Sequence, residues 1–340
     1  MHVLKRYLLR WESVLILLLI AEIAIFGRIN PRFLNTRVLL YSVNDFVCVS
    51  IISLFMAFVV ITGGIDISGG SIIGLTSVVV GVLWKQAGLD IVSASFAGLA
   101  TGALCGAFNG FLVAFAGVQA MVVTLGGMMF FSGLALVLVG VSGVSAFEGI
   151  SGFPDGFMEI AGGDLWGVPN PVLIFAALFA VACVLLHCTN YGRRVFLVGI
   201  NPNAARYSGL GVRSVVMSTY VLSGLGASIA GIVLTSYLGG ARSDLGAELT
   251  LPIVTAVVLG GVSITGGRGT VVGVAIAGVV VGLLRFGLQM AGVSSQYITV
   301  GTGMLLVVSA AVRGLAFRVS LLPRRSGGGD NFKGGGARRG

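Results

Sequence analysis

Long apolar runs separated by short polar stretches set the pattern of this chain. A spanning helix needs about 20 mostly apolar residues at a rise of 1.5 Å per residue, and fewer where it is tilted or buried among neighbours. Ten segments fit, and the weakest (the first, third and eighth) are also compatible with half-helices or re-entrant pieces. They cover residues 13–27, 38–62, 70–84, 91–116, 120–140, 171–188, 214–238, 250–263, 270–290 and 296–312. The pattern predicts an all-α, polytopic integral membrane bundle of about ten transmembrane helices, within a range of eight to ten.

Composition supports a membrane protein. Hydrophobic residues make up 56% of the chain and charged residues 10%, with a mean hydropathy of +1.04. Soluble domains are about one quarter charged, so this chain cannot bury its apolar surface in a water-soluble globule and is expected to contact membrane lipid. The net charge of +9 does not indicate nucleic acid, because the basic residues lie in loops and tails and form no stripe with aromatic residues.

The distribution of basic residues predicts the orientation, because cytoplasmic loops are enriched in lysine and arginine. If both termini are cytoplasmic, most of the 21 basic residues lie on the cytoplasmic side, namely Lys5, Arg6, Arg10, Arg193, Arg194, Arg206, Arg213, Arg268 and all those from Arg313 onward. A smaller group lies outside, namely Arg28, Arg32, Arg37, Lys85 and Arg242, and Arg285 lies within a span.

This orientation divides the chain into three parts. A cytoplasmic N-terminus covers 1–12, a transmembrane permease domain covers 13–318, and a glycine-rich cytoplasmic tail at 319–340 is expected to be disordered. Within the domain, 141–170 is predicted to be a periplasmic loop, with four acids and no lysine or arginine, and 190–213 a cytoplasmic loop.

Small and reactive residues indicate packing rather than catalysis. Gly102, Gly106 and Gly110 form a row on one helix face, and Gly278 with Gly282 repeats the spacing, which is typical of closely approaching membrane helices. The four cysteines have no C-x-x-C spacing and the two histidines are far apart, so no zinc site, disulfide framework or catalytic constellation is predicted. The chain is therefore not expected to be an enzyme.

A few polar groups in apolar surroundings need a reason. An aspartate at the centre of a bilayer costs about 2.5–3.5 kcal/mol on insertion scales, so Asp66 in GGIDISGGS should face protein, water or the cytoplasmic boundary. Two alternatives stand: a cytoplasmic turn in which Asp66 or Ser68 caps the next helix, or a broken helix that lines a path. Six residues are candidates for that path or broken helix: Gly64, Asp66, Ser68, Asn109, Thr124 and Gln289.

One polar, helix-capable island, GINPNAARYSGLGVR, interrupts the apolar middle of the chain. It fits the G-x-N-x-x-A-A-x-x-S-G-x-x-V loop of the permeases that serve ribose-type ABC sugar importers, within the branched-chain amino acid/ribose permease superfamily. GGIDIS, NGFLVA, VTLGGM, YGRRVFLVG, AVVLGGVSITGGRG and GLQMAGVSS match the family in order, and the resemblance covers roughly 40–312. Within the family, the chain is most similar to permeases of autoinducer-2 importers, although Gly69 and Arg285 depart from the usual pattern.

The resemblance implies a role for the island. In the family this loop carries a short helix that docks into a groove of the ATP-hydrolysing subunit. Asn201 would cap that helix, Ala204 and Ala205 would give it a small docking face, and Gly209 would end it. Arg206 would contact a partner carboxylate. The implied ATPase-coupling residues are Gly199, Asn201, Ala204, Ala205, Arg206, Ser208 and Gly209.

The resemblance also implies the assembly. The chain would form half of the translocation pathway of an ABC importer in the bacterial inner membrane, with autoinducer-2 as its solute. It would bind no cofactor, because ATP and Mg²⁺ belong to the partner ATPase. Its partners would be a second, homologous permease, two ATP-binding subunits and a periplasmic solute-binding protein. A permease for ribose- or rhamnose-type sugars is the near alternative, and a stand-alone channel or secondary carrier the distant one.

Overall fold

The chain folds almost entirely into α-helices. The structure is a computed structural model that describes residues 11–143 and 149–321. The helices are α1 (Trp11–Ile29), α2 (Thr36–Ile61), α3 (Gly69–Lys85), α4 (Ile91–Ala114), α5 (Ala120–Val141), α6 (Asp155–Gly162), α7 (Asn170–Cys183, continued by a π-helical turn Val184–Cys188), α8 (Asn190–Ile200), α9 (Pro202–Tyr207), α10 (Val212–Leu238), α11 (Thr250–Leu259), α12 (Val271–Met290) and α13 (Ser295–Leu321). A 3₁₀ turn at Pro31–Leu34 follows α1.

Each of the ten predicted apolar segments contains a helix. Six of the described helices are long and apolar enough to cross a membrane: α2, α4, α5, α7 with its π-helical turn, α10 and α12. The apolar parts of α3, α11 and α13 are shorter, and α1 carries Glu12, Glu22 and Arg28. The helical core of the prediction is therefore confirmed, while the number of crossings stays a prediction. Residues 1–10 and 322–340 of the predicted N-terminus and tail lie outside the described residues, and α13 continues to Leu321, past the predicted start of the tail.

The bundle has two ends. At the first, here called the Trp11 end, the Trp11 indole donates a 2.6 Å hydrogen bond to the carbonyl of Leu259, and His187 Nε2 accepts one of 3.3 Å from the Val271 N–H. At the second, the Ile29 end, Asn30 Nδ2 donates to the carbonyl of Met290. The start of α1, the end of α7 and the turn between α11 and α12 therefore share the Trp11 end.

The Ile29 end carries a small ordered cap where the sequence predicts only a loop. Strand β1 (Ile150–Ser151) pairs antiparallel with β4 (Gly240–Ala241), and β2 (Asp164–Leu165) pairs with β3 (Val168–Pro169). The cap is joined to the bundle by Lys85 Nζ, which donates to the Ser151 carbonyl at 2.7 Å, and by Ser236 Oγ, which donates to the Phe157 carbonyl at 2.7 Å.

Helix α2 lies at the centre, with nearly every residue from Phe46 to Ile61 buried. The predicted glycine rows make the close contacts expected of them. A Cβ on Gly102 would overlap the Gly224 carbonyl of α10, and one on Gly278 would lie 2.8 Å from Ser50 Oγ of α2. These helices therefore pack backbone to backbone, as the small-residue spacing predicts.

Two helices begin inside the bundle rather than at its surface. After α2 ends, the chain turns back in extended form, and α3 begins with Gly69 beside Ile52. Ile52 precedes the end of α2 by nine residues, so α3 begins inside the bundle, about 13 Å from the Trp11 end as measured along α2 by helical rise. The 239–249 segment runs inward from the Ile29 end, and α11 begins where Gly246 and Thr250 contact Gly70.

The two half-helices run in opposite directions from this meeting point. Helix α3 has 17 residues and reaches the Ile29 end, whereas α11 has 10 residues, about 15 Å, and returns to the Trp11 end. A 15 Å helix spans only half of a hydrocarbon core of about 30 Å. We call α3 and α11 the half-helices because each begins inside the bundle; whether the third and eighth predicted segments cross the membrane stays a prediction.

Candidate functional site

Asp66 lies in the extended segment between α2 and α3, at the start of α3. Its side chain is buried and accepts three hydrogen bonds. Oδ1 accepts from the Ser68 N–H at 3.0 Å and from Ser68 Oγ at 2.6 Å. Oδ2 accepts from Ser223 Oγ of α10 at 2.7 Å. The carboxylate therefore closes a turn with Ser68, the residue that precedes α3, and ties it to α10, whereas the predicted capping of the helix by Asp66 or Ser68 is not observed.

Two further predicted residues join this cluster. Asn109 of α4 donates from Nδ2 to Ser68 Oγ at 2.8 Å, and Thr124 of α5 donates from Oγ1 to the Ile65 carbonyl at 3.2 Å. Tyr220 of α10 donates to the same carbonyl at 3.4 Å. We call Ile65, Asp66, Ser68, Asn109, Thr124, Tyr220 and Ser223 the Asp66 cluster. It joins α3, α4, α5 and α10 through polar contacts in an apolar interior.

The electrostatics of the cluster explain how a carboxylate is held inside the bundle. A buried charge is tolerated when it is hydrogen-bonded and when nearby dipoles oppose it. Asp66 accepts three donors and lies at the N-terminus of α3, where the helix dipole favours negative charge. Asn109 Oδ1 is the exception, since this buried acceptor has no hydrogen-bond partner in the structure.

The meeting point of the half-helices leaves a narrow crevice beside Asp66. It has about 190 Å³ of empty space and is too narrow to admit a water molecule. Its walls come from α2, α3, α10 and α11, and the lining residues are Ile52, Met56, Asp66, Gly69, Gly70, Ser223, Thr250 and Ile253. Because the crevice is closed in this conformation, the Asp66 cluster does not line an open path.

The other predicted polar residues lie in different places. Gly64 belongs with the cluster, because a Cβ there would lie 2.7 Å from the Tyr220 hydroxyl. Gln289 lies apart from the cluster, exposed near the Ile29 end of α12, and its place on a path stays a prediction. Glu22, a charged residue in the first apolar segment, is buried in α1 with Oε2 unpaired.

Sequence reasoning missed Tyr220 and Ser223. Both lie on an apolar helix, and serine and tyrosine are common in such helices, so neither gave a signal by itself. The signal available was indirect: a buried aspartate requires donors, and α10 is the helix that packs closely on the glycine row of α4.

The polar island forms the short helices α8 and α9 at the Trp11 end. Pro202 occupies the first turn of α9, and Asn201 Oδ1 accepts hydrogen bonds of 3.0 Å from the N–H groups of Asn203 and Ala204. Gly209 follows the helix with φ of +78°, a left-handed conformation that ends it. The predicted cap and terminating glycine are both observed.

The expected docking face needs one correction. Ala204, Arg206 and Ser208 are exposed, but Ala205 is 5% exposed and packs into the hydrophobic core of the bundle. Ala204 and Ala205 therefore point in different directions, because adjacent helical residues lie about 100° apart. Tyr207, which the sequence did not single out, is 93% exposed.

Gly199 holds a packing position rather than an exposed one. It lies in the last turn of α8, where a Cβ would overlap the Ile61 carbonyl and lie 2.6 Å from the Gly267 nitrogen. The loop therefore rests directly on the turns that follow α2 and α11.

The described residues offer no metal centre, because no three of their His, Cys, Asp or Glu side chains are grouped to hold an ion. The four cysteines are free.

Comparison with known proteins agrees with this architecture. A family model described as "Branched-chain amino acid transport system / permease component" matches residues 38–310. The autoinducer 2 import system permease protein LsrD of Klebsiella pneumoniae is 45% identical over 308 residues, covering 91% of this chain and 92% of that protein. The LsrD proteins of Yersinia enterocolitica and Escherichia coli K12 are each 44% identical, over 322 and 306 residues. These matches cover 95% and 90% of this chain and 96% and 92% of those proteins.

No solved structure was found to match the chain. The family match covers most of the chain and includes both half-helices, the Asp66 cluster and the α8–α9 loop. The chain belongs to the family of branched-chain amino acid transport system permease components, and it is a multi-pass transport subunit rather than an enzyme.

Proposed function

We propose that this chain is a permease subunit of an ABC importer for autoinducer-2 in the bacterial inner membrane. The observation that carries the substrate is the identity of 44–45% to autoinducer 2 import permeases over most of the chain. The chain would supply half of the translocation pathway. Separate subunits would bind ATP and Mg²⁺ and supply the energy.

The exposed surface of α8 and α9 supports docking of an ATP-binding subunit. Leu197, Ile200 and Tyr207 are 50%, 68% and 93% exposed, so the surface presents apolar anchors to solvent. Arg193, Arg194 and Arg206 are exposed around them. An anchor of tyrosine and aliphatic residues with an arginine rim is typical of protein interfaces and fits a groove with acidic edges. We call Arg193, Arg194, Leu197, Ile200, Ala204, Arg206 and Tyr207 the coupling surface.

The coupling surface can be tested by co-purification. Tyr207→Ala with Arg206→Glu removes an anchor and reverses a charge, yet both side chains are exposed, so insertion and folding should be unchanged. We expect the ATP-binding subunit to be lost from the purified complex. Tyr297→Ala is the matched control, because Tyr297 is 73% exposed at the Ile29 end of α13. Equal recovery of the ATP-binding subunit from the double variant and the control would remove the basis for this docking site.

The position of the Asp66 cluster supports a structural role for Asp66, Ser68, Asn109 and Thr124. A pathway shared by two permeases runs along a face that each chain leaves uncovered, whereas these four residues are buried in the centre of one chain. They would hold the half-helices in register. Uncovered apolar faces do exist on α4, α5 and α13, where Phe96, Met129 and Met304 are about two-thirds exposed or more.

The partners follow from the proposed orientation, with the Trp11 end in the cytoplasm. A second, homologous permease would complete the pathway, because one chain offers one coupling surface and an ABC importer uses a pair of ATP-binding subunits. A periplasmic solute-binding protein would dock on the Ile29 end. Purification of the assembly tests this composition, with one copy of each permease and two ATP-binding subunits expected.

Uptake assays test the substrate and the need for the second permease. We expect autoinducer-2 uptake by the full set, unaffected by excess ribose or rhamnose, and none when the second permease is omitted. Competition by either sugar would favour a monosaccharide importer. Full uptake by the reduced set would show that the chain works as a homodimer.

A further inference from the structure

Three turns meet backbone to backbone at the Trp11 end. The Gly267 N–H donates a 2.8 Å hydrogen bond to the Ile61 carbonyl, which joins the glycine-rich turn after α11 to the end of α2. Gly199 at the end of α8 fits between them, and a Cβ on Gly266 would lie 2.9 Å from the Gly199 carbonyl and 3.1 Å from the Gly63 nitrogen. We call Ile61, Gly63, Gly199, Gly266 and Gly267 the glycine junction.

The junction is tight because no side chain separates the backbone segments that meet there. Gly266 and Gly267 have φ of +84° and +74°, which glycine adopts without the steric cost that a Cβ brings. Backbone atoms in direct contact have no rotamers with which to absorb a displacement, and close-packed interiors transmit strain. A shift of α8 is therefore passed to the two turns instead of being lost in side-chain motion.

Each turn leads to a different helix. Gly199 is followed by α9, which carries Arg206 and Tyr207 of the coupling surface. The turn at Gly63 leads through the Asp66 segment to α3, and the turn at Gly266 and Gly267 connects α11 to α12. Since α3 and α11 begin together where Gly70 contacts Gly246, the 62–68 segment links the junction to the start of α3, and α11 links it to the same meeting point.

The covalent route from α9 to α10 makes contacts of a different kind. A Cβ on Gly209 would have nothing within 4 Å, and one on Gly211 would have its nearest neighbour at 3.9 Å, so neither glycine packs against another backbone as Gly199 does. The turn is held by hydrogen bonds within the loop, with the Gly209 N–H donating to the Arg206 carbonyl at 3.0 Å and the Leu210 N–H to the Ala205 carbonyl at 3.1 Å. The glycine junction, in contrast, joins the loop directly to the turns that follow α2 and α11.

We propose that the glycine junction transmits movement of the docked ATP-binding subunit from α8 and α9 to the half-helices α3 and α11, with Gly199 as its positioning residue. The proposal rests on the proposed function, because it takes the coupling surface to be the docking site. Gly199 contacts neither solute nor nucleotide in this scheme. Its role is to let α8 approach Ile61 and Gly267 closely enough to move with them.

The first test is Gly199→Ala in the complete complex, reconstituted in proteoliposomes with the binding protein. A methyl group at Gly199 would force α8 away from Ile61 and Gly267, while Arg206 and Tyr207 stay exposed for docking. We expect the ATP-binding subunits to co-purify and to hydrolyse ATP, and the number of solute molecules imported per ATP to fall at least tenfold. Gly211→Ala is the matched control in the same loop and should keep the wild-type ratio. A wild-type ratio for Gly199→Ala would overturn the proposal.

The second test separates coupling from folding. It perturbs the junction from the turn after α11: in Gly266→Ala the methyl group would lie 2.9 Å from the Gly199 carbonyl, while α8, α9 and the coupling surface keep their sequence. We expect the ATP-binding subunits to be retained and the number of solute molecules imported per ATP to fall as in Gly199→Ala. Gly117→Ala is the matched control, because Gly117 has a similar φ of +72° but a Cβ there would have nothing within 4 Å. A wild-type ratio for Gly266→Ala would overturn the proposal even if Gly199→Ala fails to assemble. Failure of the wild-type chain to retain the ATP-binding subunits would instead contradict the proposed function, because that result does not depend on the junction.

Discussion

Removing one hydroxyl from the Asp66 cluster gives a sharp test of how the half-helices are held. In Ser223→Ala, Asp66 Oδ2 loses the donor that lies 2.7 Å away, in a site where Ser223 is 1% exposed and water cannot replace it. Hydrogen bonds to charged groups contribute about 1.5–3 kcal/mol, more than neutral ones. A loss of about 2 kcal/mol lowers the folding equilibrium constant roughly 30-fold.

Ser228→Ala is the matched control on the same helix. Ser228 is also buried, but its hydroxyl donates only to the Leu225 carbonyl one turn earlier, at 2.9 Å. That bond leaves no charge unpaired when it is removed, so we expect a change below about 0.5 kcal/mol. Equilibrium unfolding in mixed micelles, followed by circular dichroism, measures both variants. If Ser223→Ala costs no more than Ser228→Ala, the carboxylate does not depend on α10, and the proposed structural role of the cluster is wrong.

Three further predictions follow from the fold. Cysteines at Ser208 and Ser151 should react with an impermeant thiol reagent only from the cytoplasmic and only from the periplasmic side, respectively, and the reverse pattern would contradict the orientation. Gly70→Ala should lower the yield of monodisperse protein several-fold, because the methyl group would lie 2.6 Å from Thr250 Oγ1 and overpacking costs about 1–3 kcal/mol. Gly126→Ala is the control and should keep the wild-type yield, because a Cβ there would have nothing within 4 Å. Equal yields of the two variants would contradict the contact between the half-helices. Asn201→Ala removes the cap of α9 and destabilises that helix by about 1 kcal/mol. Binding of the ATP-binding subunit, measured by surface plasmon resonance, should therefore weaken about fivefold. Unchanged binding would argue against a folded α9 at the interface.

Much of the architecture could be predicted because apolar length and glycine spacing encode it directly. The runs that became α2, α4 and α10 are long enough to identify a spanning helix without tertiary information. The glycine row of α4 predicted close packing, although not the partner helix. Local capping chemistry was also predictable: Asn201, Pro202 and Gly209 act on their nearest neighbours in the chain.

Depth and facing direction could not be predicted in the same way. Nothing in the 62–68 segment indicates that it runs inward along α2 from the Trp11 end before α3 begins. That depth depends on the 239–249 segment, which enters from the Ile29 end and meets the start of α3. Ala205 looked like part of an exposed face, but the loop folds back onto the bundle and buries it. Glu22 is buried and Gln289 is exposed for the same reason: burial depends on which neighbouring helix covers a residue, and helical periodicity alone does not specify that.

The dependence of uptake on ATP tests the central claim most directly. The chain, the second permease, the ATP-binding subunits and the binding protein are reconstituted in proteoliposomes, and accumulation of autoinducer-2 is followed with ATP, without ATP, and without the ATP-binding subunits. The proposed function predicts accumulation only in the first condition, and its loss when Tyr207→Ala and Arg206→Glu are introduced at the coupling surface. Equal uptake in all three conditions would contradict it and identify the chain as a channel or a secondary carrier.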